Sequence, residues 1–157
     1  MPTKSKIKIT DNLELRAEID SLFESTTQAT LAKWAIECAK HVLPLANSED
    51  IDITDIQEGM LTSQLWQDSK ASVNAVRKAG FKIHVVARQC QTEIARTVFR
   101  AVGHAVAVGH MTEHTMVCSD YAIKSIQLAF PNDSEMITIE RQWQLDSLKV
   151  LESNAST

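Results

Sequence analysis

Between Ile94 and Val108 the apolar residues (Ile94, Ala95, Val98, Phe99, Ala101, Val102, Ala105, Val106 and Val108) cover most of the circumference of a helix. A helix apolar nearly all round has no face to offer to water and must be wrapped by other elements. This one segment therefore demands a layered helical body with itself at the centre. Thr92 followed by Glu93 supplies its start, and Gly109 stands where helices commonly end in a left-handed residue.

The rest of the chain can supply the wrapping. Its 157 residues are 44% hydrophobic and 23% charged, and only 4 Gly and 3 Pro are present, which favours long helices over many turns. Helical spacing predicts seven helices. The first runs from about Asp11 to Glu24, with Asp11 and Glu14 spelling a capping box. The second follows Ser25-Thr26-Thr27 and is stopped by Pro44. The third spans about Thr54 to Gln67, and the fourth about Lys70 to Gln91 with Gly80 inside it as a point of weakness. The central helix is the fifth. The sixth starts at Thr112, and the seventh runs from about Ser134 to Glu152. The expected fold class is all-α: a single-domain bundle or HEAT-like stack of about seven helices over residues 11–152. A flexible segment is expected at 1–10 and a frayed tail at 153–157. Trp34, Cys38, Phe99, Val102 and Val106 form the expected core.

Several function classes are disfavoured. No apolar run has signal-peptide or membrane-spanning length, so the expectation is a cytoplasmic protein with no membrane partner. Cys38, Cys90 and Cys118 are far apart and sit on apolar helical faces, as reduced core thiols do. Aromatic residues are 5% and the net charge is -4, which argues against nucleic-acid binding even though Arg77, Lys78, Lys82, Arg88, Arg96 and Arg100 are clustered. No nucleophile motif or phosphate-binding glycine loop is present. Cys90 and His84, six apart on one predicted helix, should diverge.

The charges are segregated. From His41 to Ser69 there is no Lys or Arg, while Glu49, Asp50, Asp52, Asp55, Glu58 and Asp68 are all negative; from Lys70 to Arg100 seven cations face Glu93 alone. The two blocks either compensate each other across the fold or leave one free to steer a partner. In the second case Glu49, Asp50, Asp52, Asp55 and Glu58 are the candidate docking residues for a basic protein.

Three of five histidines fall in one stretch, His104, His110 and His114. His110-Met111-Thr112-Glu113-His114 matches the spelling of inverted zinc peptidases. Metal binding requires the two histidines one turn apart on a continuous helix, and Gly109 and Thr112 predict a break there. The expectation is therefore no metal and no cofactor, with His104, His110 and His114 as a structural or ligand-contacting cluster. The competing function is a histidine-dependent metal or small-ligand binder, in its strongest form a hydrolase.

Three spaced motifs carry a resemblance. They are Leu31-Ala32-Lys33-Trp34-Ala35-Ile36-Glu37-Cys38-Ala39 leading to His41-Val42-Leu43-Pro44, then Ala101-Val102-Gly103-His104-Ala105-Val106-Ala107-Val108-Gly109-His110, then His114 with Tyr121-Ala122-Ile123-Lys124. Together, over about Leu31 to Lys149, the chain resembles the bacterial immunity proteins of polymorphic-toxin and contact-dependent inhibition systems. Trp34, Cys38, His104, His110, His114 and Tyr121 match family positions, while Gly109 stands where alanine is usual. The resemblance implies an all-α cytoplasmic protein that binds and neutralises a cognate toxin, and the expected function is a non-enzymatic protein acting by occlusion.

Overall fold

The computed structural model describes residues 2–155 and contains seven α-helices, with no strand among those residues. They are α1 (Leu13–Ser25), α2 (Gln28–Val42), α3 (Thr54–Gln67), α4 (Val73–Gln89), α5 (Glu93–Val106), α6 (His114–Ala129) and α7 (Ser134–Ala155). Short 3-10 turns follow α2 at Leu43–Ala46 and α5 at Ala107–Gly109.

Helix α5 is the centre. It packs against α2, α3, α4 and α6, and nine of its residues are buried. The five predicted core residues all lie inside, Trp34 at 0% exposure and Phe99 at 2%. Trp34 also satisfies its indole, donating to the Gln144 carbonyl at 2.9 Å.

The helix starts follow local chemistry. Thr27, Ser72 and Thr92 each accept a backbone N–H of the first turn with their hydroxyl and so cap α2, α4 and α5. Two joints are closed by left-handed residues that are not glycine, Ser69 (φ 60°) after α3 and Asn132 (φ 63°) after α6. Four expectations need correction. Asn12, not Asp11, caps α1, because Asp11 turns to Arg141. Gly80 does not interrupt α4; its missing side chain admits the Gly103 carbonyl, 3.2 Å from where a Cβ would stand. Gly109 is not left-handed, since no glycine here has positive φ; the chain tightens into a 3-10 turn instead. Helix α6 starts at His114 with Glu113 at its cap position, two residues beyond the expected Thr112.

Successive helices from α2 to α7 pack on one another, but α1 packs on α7. Its buried face explains why: it carries Arg16 and Asp20 beside Ile19. Arg16 forks onto Asp120 of α6, Nε to Oδ1 at 3.0 Å and Nη2 to Oδ2 at 2.9 Å. Arg141 of α7, fully buried, forks onto Asp11 at 2.8 Å through both nitrogens and reaches Asp120 at 2.7 Å. These charges fix α1 against α6 and α7.

Residues 2–10, expected as a flexible segment, cross this face as irregular chain with a bend at Lys6 and Ile7. Thr3 donates its N–H and hydroxyl to Asp20 at 2.6 and 2.8 Å, and Thr10 donates to Gln127 at 2.9 Å. Exposure alternates along the segment, so that Ile7 and Ile9 turn inward. Residues 153–155 of the expected tail continue α7, while Met1 and residues 156–157 lie outside the described residues.

Candidate functional site

The acidic block divides by role. Glu49 accepts from the Gln91 N–H and from the Thr92 hydroxyl at 3.1 Å, so it ties the connection before α3 to the start of α5. Those bonds, the Gln91 N–H first, hold its carboxyl below the usual range. Asp52 accepts from the Thr54 hydroxyl at 2.6 Å and N–H at 2.9 Å and so closes the turn that leads into α3, with its carboxyl lowered by those same bonds. Asp55 and Glu58 border a shallow cleft between α3 and α4 whose other wall carries Lys78 and Lys82. The two charge blocks thus partly answer each other across that cleft. Asp50 and Glu58 are exposed.

Beside the acids lies an apolar cleft of about 360 Å³ between the 3-10 turn after α2, the connection and α3. Ile51, Ile53, Ile56, Met60 and Phe99 line it, Glu49 stands at its rim, and Ile53 is 45% exposed. Charge counting along the sequence passed over this cleft. The isoleucine alternation Ile51, Ile53 around Asp52 was the available signal.

The histidines converge more tightly than their spacing implied. His104 on α5 and His114 on α6 face each other with Nδ1 atoms 2.8 Å apart, the separation of one shared proton. His84 of α4 meets the edge of the His104 ring at 4.8 Å, and Tyr121 of α6 stacks on His104 at 5.3 Å. His110 stands off, its ring 6.1 Å from that of His114. Gly103 makes room for His84: a Cβ there would lie 2.7 Å from the ring's Cε1. Gly109 does the same for Trp66, whose ring would meet a Cβ on that glycine at 2.7 Å. Both glycines therefore serve close approach.

Burial sets the electrostatics of this cluster. It pushes His84 down to about 4, with Arg100 and His114 adding to the effect. It pushes His104 down to about 3, reinforced by His84 and His114. His114 is lowered as well, again by burial first. Neutral imidazoles in mutual contact form a packed polar seam between α4, α5 and α6. Nδ1 of His84 is buried without a partner. Among the described residues no group of three or more His, Cys, Asp or Glu side chains is arranged to hold a metal. Cys90 bonds to the Val86 carbonyl at 3.5 Å and not to His84.

Gly103→Ala should therefore displace the His84 ring and cost about 1–3 kcal/mol. Urea denaturation measures the loss, and the His84 imidazole resonances should move with it. A loss under about 0.5 kcal/mol would mean that the ring swings away freely.

No helix of the described residues is long and apolar enough to cross a membrane. A family model described as Imm-5 like putative immunity protein matches residues 21–151, enclosing the stretch from Leu31 to Lys149 on which the resemblance rested. No curated protein and no solved structure matches the chain.

Proposed function

The chain belongs to the Imm-5 like putative immunity protein family, and from that premise we propose that it binds and neutralises a cognate bacterial toxin in the cytoplasm by occlusion, without catalysis of its own. The carrying observation is the apolar cleft at Ile51, Ile53 and Met60, with Glu49 in its lining and Asp50 and Asp52 on the same connection. An apolar centre with a charged rim is the common anatomy of a protein interface. The rim charge selects a basic partner and speeds its encounter.

The acids do not contribute equally. Glu49 and Asp52 hold backbone ends together, so their replacement would disturb the fold as well as the surface. Asp50, Asp55 and Glu58 carry the steering. The triple variant Asp50→Asn, Asp55→Asn, Glu58→Gln should associate about tenfold more slowly with the toxin encoded beside this chain, and with a flatter salt dependence. Ile53→Lys should instead weaken binding by placing a cation at the centre of the contact. Stopped-flow association at two ionic strengths reads the first effect and calorimetry the second. Unchanged rates and affinity in both variants would move the occluding surface to another face.

A further inference from the structure

Helix α5 has one polar edge, and it is not random. Arg96, Arg100 and His104 recur every fourth residue on a helix whose other positions are mostly buried. Tyr121 and Lys124 of α6 face the arginine end of this stripe, and the N-terminal segment adds Lys8. These residues line an open cleft of about 330 Å³ whose only lining carboxylate is Glu93. That volume falls at the small-ligand end of binding sites, about 300–1,000 Å³.

None of the four cations forms an ion pair among the described residues; Arg16, His41 and Arg141 form those. Arg96 gives one N–H to the Cys90 carbonyl at 3.1 Å. Arg100 is half-buried, and its guanidinium makes no side-chain hydrogen bond among the described residues. The more deeply buried arginines, Arg16 and Arg141, are fully engaged. The buried side-chain atoms left without a partner among the described residues belong to His84 and Thr115 and not to Arg100, so its guanidinium opens to solvent in the cleft with its donors free for a ligand.

We propose that this cleft binds the di- or triphosphate group of a small molecule, with Arg96 and Arg100 forked onto phosphate oxygens and Lys8 and Lys124 completing the neutralisation. Guanidinium geometry matches phosphate bidentately, and four cations facing Glu93 in the cleft, with Glu49 near Arg96, suit a multiply charged anion better than a single carboxylate. The small volume favours a short polyphosphate over an acidic protein segment. This site shares no lining residue with the acidic cleft and does not depend on the toxin-binding reading.

The test is calorimetric titration of the full chain with inorganic tripolyphosphate and, separately, with ATP, in buffer free of phosphate. Wild type should bind one equivalent, Arg100→Gln should weaken binding by at least about tenfold, and Lys124→Gln by several-fold. Lys78→Gln, which removes the same charge outside the cleft, should bind as wild type does. Equal affinity for the two probes assigns the site to the phosphate chain itself, and tighter ATP binding adds a nucleoside contact; either supports the proposal. No saturable binding at millimolar probe, an equal loss in Lys78→Gln, or binding of polyglutamate in preference to both phosphates would overturn it. Because Lys124 lies at the cleft edge and not in the core, its variant keeps the test valid if Arg100→Gln unfolds.

Discussion

Arg141→Met should destabilise the protein by about 3–5 kcal/mol, more than any other single charge removal in the chain. The side chain is fully buried and spends its donors on Asp11, Asp120, Ser119 and Gln144. Methionine fills similar space, so the loss does not come from a cavity. It comes from leaving the Asp11 carboxylate without its counter-ion and Asp120 with Arg16 alone. Gln144 would lose its bond from Arg141 while still donating to the Ser119 carbonyl at 3.2 Å, so the contact of α6 with α7 would loosen without separating. Urea denaturation followed by circular dichroism measures the change. Arg77→Met, at an exposed position, serves as control and should stay within about 0.5 kcal/mol. A loss below about 1 kcal/mol for Arg141→Met would mean that water solvates the network and that α1 is held by apolar contact instead.

That network marks where the sequence stopped being legible. The helices themselves were readable because apolar spacing and hydroxyl caps are local: α3 has the predicted bounds, and Thr92 caps α5 as expected. The partner of α1 was not. Arg16 falls within the stripe of Leu15 and Ile19, and Arg141 falls between Ile137 and Leu145, so both occupy core positions by spacing alone. Charges at core positions must be paired, but spacing cannot say with whom. Asp11 is 130 residues from Arg141, and only the folded chain brings them together. The same limit applies to the histidines. Their crowding in the sequence pointed to the right region, yet the contact that matters joins His104 to His114 across two helices and recruits His84 from a third. The pair with the motif spacing, His110 and His114, is the looser one. At the acidic block, sequence charge marked candidate docking residues but could not separate carboxylates spent on helix ends from those left to face solvent.

Acid should unfold this protein through the histidine seam. In the unfolded chain an imidazole titrates near 6.5, whereas His84 and His104 stay neutral in the fold down to about 4 and about 3. Below about pH 6.5 the unfolded state therefore takes up protons that the native state refuses, and stability rises with pH across that window. The contribution is complete above about pH 7 and is lost progressively on acidification, until His84 and then His104 protonate in the native state. The groups around the seam add to this: Arg88, Arg100, Lys6 and His110 repel a proton, and only Glu113 attracts one. The expected loss between about pH 6.5 and pH 5 is on the order of 2–3 kcal/mol, allowing for partial solvent screening of half-buried rings. Carboxylates of ordinary acidity contribute little over that interval. Denaturant titrations at half-unit pH steps measure the slope. The double variant His84→Phe, His104→Phe keeps an aromatic ring at each position and the stack on Tyr121 but removes two titrating groups, so its slope should fall by at least half. An unchanged slope would assign the acid sensitivity to groups other than His84 and His104. The buffer must be free of phosphate, because an anion held by Arg100 would cancel part of the repulsion that keeps His84 and His104 neutral. Adding tripolyphosphate to the same titration should therefore flatten the wild-type slope and leave that of Arg100→Gln unaltered.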